Sequence, residues 1–313
     1  MIETVPGKWA ARIEVSGVEP EPATFVPYGV IQGARPGPQV AVVAGVHGTE
    51  LVTQDAAQVL WRETSPEEVR GSLTVVFVAD VLAAQSGIPG ANPVDRRNLN
   101  RVWPGSAAGT LSERLTARLW EELLRRPEMV IDLHGGEWTE EVDPFAIVHP
   151  SGDANLDARA RGAAVAMGLP YVQFTSGDGK LSGEVSRNGR LGLAMEVGGG
   201  GRRRAEDSDL VVAAVRGALR FVGSLDPGGA APSAHCTMLR GADLRSSMAG
   251  VLVQAVEVAQ PVEQGQTVCT VTDFDGQPME TIAAPHAGLV LLRSVARVVA
   301  PEALVATVAW AGS

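Results

Sequence analysis

His47 and Glu50 stand three residues apart in the segment HGTE, directly after a compact apolar run that begins at Gln39. On one turn or at a helix start, that spacing brings an imidazole and a carboxylate to the same side, where both can reach one cation. His134 lies in DLHGG at the end of another apolar run, and Gly135 and Gly136 allow the backbone a close approach there. Two histidines and a glutamate would leave a zinc ion one open position for water, which is a catalytic rather than a structural arrangement. An isolated His-x-x-Glu pair is common, so the weight rests on three such groups at strand exits of one domain. Asp132, two residues before His134, reads equally as a group orienting a ligand or as a hydrogen-bonded buried carboxylate.

Glu196 interrupts LGLAMEV, a run otherwise apolar enough for a core. A buried carboxylate without a partner is costly, so it is either a salt-bridged acid at a strand end or a functional group. Near a metal it could take a proton from water and pass it to a leaving nitrogen, with a pKa raised by partial burial. Asn100 and Arg101, side by side in NLNRVWPG, offer an amide and a guanidinium fork that can grip a carboxylate, although the surface is the commoner place for an arginine. Arg96 and Arg97 add positive potential beside them and are further candidates for binding an anionic substrate. His149, His235 and His286 read as ordinary residues, His149 being the one that could approach the cleft.

The elements that must position these groups alternate along the chain. Strands are expected from Gln39, Ser72, Met129, Tyr171 and Leu191, and helices over 51–63, 110–126, 153–167 and 208–222, with Thr110 and Glu113 in capping-box positions. Interleaving of this kind implies an α/β sheet covered on both faces, with catalytic groups gathered beyond the carboxyl ends of its strands. After the Asp-Pro-Gly-Gly stretch at 226–229 the pattern changes to short β-branched runs between Gly and Pro turns. MAGVLV from Met248 is echoed by HAGLVL from His286, which points to a small β domain of two similar halves. The expected division is therefore 1–228 and 229–313.

The formal net charge of −10 argues against a nucleic-acid partner, since such a surface repels phosphate backbones. Of 26 basic residues only Lys8 and Lys180 are lysines. The run Arg202 to Arg204 reads as a solvated loop or as a neighbour of the active site. No apolar run is long enough for a membrane span, the N-terminus lacks the pattern of a secretory signal, and two distant cysteines suggest neither disulfides nor a thiolate site. A cytoplasmic protein is the expectation. Ser-His-Asp elbow, Walker and dinucleotide-binding patterns are missing from the sequence.

The ordered set GVHGTE, NPVDRRNLNRVWPG, DLHGG and AMEVGG resembles the succinylglutamate desuccinylase and aspartoacylase family, relatives of the zinc carboxypeptidases, over about residues 40–222. The resemblance implies a mixed β-sheet flanked by helices, one zinc per chain, and hydrolysis of N-acyl amino acids or related amides. It places the metal ligands on His47, Glu50 and His134, the substrate-carboxylate pair on Asn100 and Arg101, and the general base and acid on Glu196. The family often carries a further arginine before the Asn-Arg pair to steady an oxyanion, whereas this chain has GIPGANPVD there, which leaves Arg96 or Arg97 as replacements at an unusual offset. The C-terminal region resembles the half-barrel of lipoyl and biotinyl carriers, without their carrier lysine, and is expected to cap the site or support an oligomer interface.

The expected activity is therefore zinc-dependent removal of a short acyl group from a small anionic N-acyl amino acid. A metallocarboxypeptidase acting on short peptides shares every residue named, and a metal-binding regulatory protein without turnover is the alternative from another class. Assembly into a homo-oligomer stays open.

Overall fold

The apolar runs predicted as buried strands are divided by their own two-residue period between two cores. In the computed structural model, which describes residues 5–17, 20–228 and 236–311, the first part of the chain forms β1 (Gly7–Val15), β2 (Thr24–Gln32), β3 (Arg35–Val43), β4 (Arg70–Val76), β5 (Met129–His134), β6 (Glu140–Val142), β7 (Phe145–Val148), β8 (Tyr171–Phe174) and β9 (Leu191–Glu196). Val40, Val42, Met129 and Ile131 face one core, whereas Ala41, Val43 and Val130 face the other. Both faces are thus buried, which is why β3 and β5 read as continuous apolar runs rather than as alternating ones.

Helices supply the two covers. α1 (Leu51–Glu63), α4 (Ala154–Ala166) and α6 (Ala205–Phe221) close the first core, and α3 (Leu111–Leu119) with α5 (Leu181–Arg187) closes the second; the short α2 (Val81–Ser86) connects β4 to the irregular segment that follows. α1 has the bounds expected from its periodicity, and α4 opens on Asp153, whose carboxylate accepts from the Asn155 and Leu156 amides. The expected helix over 110–126 begins as predicted, with Glu113 accepting from the Thr110 amide at 2.8 Å, but it widens to a π turn at Trp120–Leu124. α6 starts three residues earlier than its apolar stripe suggests, with Glu206 and Asp207 in its first turn, where acids favour a helix N-terminus.

The sheet is mixed. β3 pairs in parallel with β4 and β5, and β5 with β9, while β7 runs antiparallel to β9 and the N-terminal hairpin β1–β2 adds antiparallel strands at the edge. Later strands are β10 (Thr237–Arg245), β11 (Gly250–Gln254), β12 (Pro261–Val262), β13 (Thr267–Thr272), β14 (Pro278–Ala283), β15 (Gly288–Ser294), β16 (Val298–Val299) and β17 (Leu304–Ala311). β10 pairs in parallel with β8, so the sheet continues from the first part of the chain into the second, in the order β1-β2-β4-β3-β5-β9-β7-β8-β10-β17-β15-β12, with β6 joined to β15. The expected division at 228/229 borders residues 229–235, which, with His235, lie outside the described residues.

A second sheet, β14-β13-β11-β16, packs against the end of the first and encloses small aliphatic clusters. The two echoed glycines, Gly250 and Gly288, each open a strand, and these strands lie in different sheets. Among the described residues no helix is long and apolar enough to cross a membrane.

Candidate active site

Parallel pairing explains why distant residues meet here. β5 lies between β3 and β9, with His134 directly opposite Glu196 in the β5–β9 ladder. Side chains opposite one another in neighbouring strands share a face, so the ladder alone sets this imidazole beside this carboxylate. Asp132 is two residues earlier and therefore on the same face as His134. Beyond Gly135, whose Cα lies so close to the Val197 carbonyl that a Cβ would stand 2.2 Å from its oxygen, the chain turns away from the sheet.

The loop after β3 brings the other two groups. Glu50 is the residue before α1, and its amide donates to the His47 carbonyl, closing a turn over HGTE. Within this turn His47 Nδ1 lies 2.6 Å from Glu50 Oε1, and His134 Nδ1 lies 3.0 Å from Glu50 Oε2. One donor atom from each of the three residues falls within 4.8 Å of the others. The far ring nitrogens are engaged separately: His47 Nε2 faces Asn98 Oδ1 at 3.1 Å, and His134 Nε2 faces Asp132 Oδ2 at 2.9 Å. With Nε2–H donating outward on both rings, both Nδ1 lone pairs converge with a carboxylate, which is the donor set of a metal centre. Asp132 thus holds the His134 ring, and its other oxygen is buried without a hydrogen-bond partner among the described residues.

Electrostatics in the metal-free protein agree with a place for positive charge. Burial opposes protonation of His47, yet the Glu50 carboxylate outweighs it and pushes the imidazole up to about 9. Burial likewise opposes ionisation of Glu50, and the two imidazoles overcome it to bring the carboxyl down to about 2. Burial pushes Glu196 up to about 8 and Glu137 up to about 7.

These groups line one cavity of about 430 Å³, together with Asn100 and Arg101. Asn100 sits in a single 3₁₀ turn (Leu99–Arg101), buried, with its amide occupied inside the protein: Oδ1 accepts from the Leu181 amide at 2.9 Å, and Nδ2 lies 3.4 Å from Asp132 Oδ2 and 2.9 Å from His134 Nε2. Of the expected carboxylate pair, Asn100 is turned inward, and Arg101 has no acid partner among the described residues.

Residues 36–222 match the model of the succinylglutamate desuccinylase/aspartoacylase catalytic domain. The chain belongs to this family. A relative from Halomonas elongata, the N-alpha-acetyl-L-2,4-diaminobutyric acid deacetylase, is 29% identical over 259 residues, covering 80% of this chain and 75% of that protein. The product-bound ectoine utilization protein EutE (DoeB) of Ruegeria pomeroyi superposes with a TM-score of 0.88 at 26% identity, over 99% of this chain and 97% of its own. A succinylglutamate desuccinylase/aspartoacylase of Rhodobacter sphaeroides shares the fold with a TM-score of 0.88 at 24% identity, over 100% of this chain and 98% of its own.

One expectation for this succinylglutamate desuccinylase/aspartoacylase chain needs correction, and of the two readings of Arg202 to Arg204 the solvated loop is the one found. Arg96 and Arg97 are exposed and do not line the cavity. The turn that carries them closes through Arg96 N–H to Asn92 O and Asn92 N–H to Arg97 O, with Arg96 in left-handed backbone (φ 59), and Arg97 reaches to 3.9 Å from Glu113. The run at Arg202 to Arg204 is exposed and outside the cavity, where Glu141 takes Arg202 and Asp55 takes Arg203.

Other lining residues carry no local signal. His149, expected to be ordinary, is buried in the wall, with Nδ1 donating to Thr175 O and Nε2 accepting from Ser182 Oγ, and burial holds it down at about 4, hence neutral. Lys180, Gln173, Glu137 and Glu140 also face the cavity, and the later strands add Asp243, Arg245 and Thr307. Of this set, the two acids that closely follow DLHGG have the one signal in the sequence that could have found them. His286 stacks on Trp310 at a centroid distance of 4.2 Å and is not in the lining.

Proposed function

We propose that this chain is a zinc-dependent amidohydrolase that removes a short acyl group, acetyl foremost, from the nitrogen of an amino acid or related carboxylate-bearing amide. The observation that carries the reading is the convergence of His47 Nδ1, Glu50 and His134 Nδ1, with Glu196 directly across the ladder from His134. Nitrogen and carboxylate donors in this number suit zinc, and their outward nitrogens are already held by Asn98 and Asp132. The deacetylase named among the relatives supports an acetylated amino acid as the substrate class.

Zinc held there supplies Lewis acidity and lowers the pKa of a water. Glu196 accepts the proton of the attacking water and returns it to the departing amine, a task suited to a carboxyl that burial keeps near neutrality. A cation beside it favours the carboxylate form, so the base is ready when the site is loaded. Arg101 takes the substrate carboxylate and fixes which amide lies over the triad, while Asn100 donates to Asp132, the acceptor that faces His134. Asp243, Arg245 and Thr307 add lining from the C-terminal part of the chain.

Hydrolysis of a panel of N-acetyl and N-succinyl amino acids and of dipeptides, with metal content measured on the same sample, tests this reading. Turnover of acyl amino acids with one zinc per chain is the expected result. Turnover of dipeptides alone would make the protein a carboxypeptidase, and a preparation that neither holds zinc nor regains activity with it would overturn the proposal.

A further inference from the structure

Three lysine or arginine side chains line the cavity, Arg101, Lys180 and Arg245. Arg245 has Asp243 within 3.6 Å and donates to the Glu302 carbonyl. Arg101 donates to the Asn100 carbonyl at 2.8 Å and meets no acid, and Lys180 has neither a side-chain hydrogen bond nor an ion pair among the described residues. In a chain with 36 acidic residues and a net charge of −10, two cations left unpaired on one wall call for a cause.

Their proximity is fixed by the backbone on both sides of Lys180. Gly179 packs against Arg101 so closely that a Cβ would stand 2.5 Å from the Arg101 carbonyl oxygen, and its φ of 69° is left-handed. Its own carbonyl accepts from the Trp103 amide at 3.2 Å, and the Leu181 amide donates to Asn100 Oδ1 at 2.9 Å. The residues before and after Lys180 are therefore fastened to the segment that carries Arg101. Neighbouring like charges repel, and a partly buried ammonium without a partner is disfavoured. Burial, and next the Arg101 charge, hold the Lys180 ammonium below its ordinary pKa, against the weaker pull of Asp243 and Glu196. An arrangement that raises the energy of the empty cavity is relieved when an anion enters it.

We propose that Lys180 is a substrate-binding residue, which forms with Arg101 a two-cation seat for the carboxylate of the ligand. This rests on the deacylase reading only for the identity of the molecule that owns the carboxylate. The seat itself follows from the lining, since the segment over 87–95 contributes no cation and Arg96 and Arg97 are outside. An ammonium adds a point charge beside the planar guanidinium fork, so the pair can hold both carboxylate oxygens without Asn100.

The test is calorimetric titration of the zinc-loaded protein with N-acetyl-L-2,4-diaminobutyrate, N-acetyl-L-aspartate and the carboxamide of each, comparing wild type with Lys180→Met and Lys180→Arg; kcat and KM are measured wherever turnover occurs. Lys180→Met should weaken the carboxylate ligands by roughly ten- to a hundredfold and raise KM with kcat little changed. The carboxamides should bind wild type and variant alike, and Lys180→Arg should recover most of the loss. Equal affinity of wild type and Lys180→Met for the carboxylates overturns the proposal, as does a fall in kcat with KM unchanged, or a wild type that binds no carboxylate. A wild type that binds the carboxylates through Lys180 but hydrolyses none keeps the seat and removes the deacylase reading. Hydrolysis that is indifferent to Lys180→Met does the reverse.

Discussion

The wall that carries His47, Glu50 and His134 and the wall that carries Arg101, Lys180 and Gln173 face the same cavity but are built on opposite principles. On the first, each donor is held by another contact: Asn98 fixes His47, Asp132 fixes His134, and Glu50 lies between the two rings. On the second, Lys180 has no side-chain partner among the described residues and Gln173, only 8% exposed, makes no hydrogen bond with its side chain there. A group that must meet a reacting atom at fixed geometry gains when its orientation is set before the substrate arrives. A group that selects a ligand gains most if its partner arrives with the ligand, because an incorrect ligand then leaves a buried polar group unsatisfied. On the proposed function, chemistry and selection belong to separate walls.

Removing a reacting group from the first wall should give the largest effect. Glu196→Gln keeps the shape and hydrogen-bonding capacity of the side chain but not its ability to carry the proton, so kcat should fall by roughly two to four orders of magnitude. Metal content, measured on the same preparation, should be unchanged because Glu196 is not in the triad. A variant within about threefold of wild type would show that the proton travels by another group, with Glu137 and Glu140 as alternative carboxyls in the lining.

Loosening the support of that wall without touching its ligands should act more mildly. Asp132→Asn replaces the acceptor that faces His134 Nε2 with an amide able to present either an oxygen or a nitrogen. Metal affinity, read by competition with a chromogenic chelator, should fall by roughly ten- to a hundredfold. Unchanged affinity would mean that the Glu50 contact and the close burial of the ring suffice to orient it.

The difference between the walls also explains what is legible in the sequence. HGTE, DLHGG and AMEVG are local: each follows an apolar strand and ends in glycine or an acid, so a single stretch announces both the element and the group. The family resemblance adds the order of these stretches and the role of Glu196. The selecting wall is assembled from a 3₁₀ turn, the residue before α5 and strand β8, far apart in sequence, and the continuation of the sheet from β8 to β10 sets Gln173 near Gly241. No local pattern foretells that pairing. Arg96 and Arg97 mislead because their closeness to Arg101 in sequence is not closeness in space: a left-handed turn separates them from the cavity. The β1–β2 hairpin has no clear pattern in the sequence, since only one side of β1 is buried, and only toward its end, at Ile13 and Val15.

His149 lies in the lining beside the second wall yet is satisfied like a member of the first, and this gives an effect on stability rather than on turnover or metal affinity. Its neutral ring donates through Nδ1 to Thr175 O and accepts through Nε2 from Ser182 Oγ, and burial lowers its pKa from 6.5 to about 4. Between those two values the unfolded chain binds a proton that the folded chain does not, so stability falls as pH falls and levels off below about 4. The full window corresponds to roughly 3 kcal/mol at most, by the ordinary conversion of a pKa difference. In His149→Gln this titration is gone while an amide still reaches both neighbours. Urea unfolding of both proteins at pH 7 and pH 4.5, with chelator present throughout so that metal release does not contribute, should show the wild-type advantage shrinking at the lower pH. A constant difference between the two proteins would mean that the ring takes up its proton inside the folded protein, with Ser182 turned to accept it, and that this side of the cavity adapts as readily as the wall that waits for a ligand.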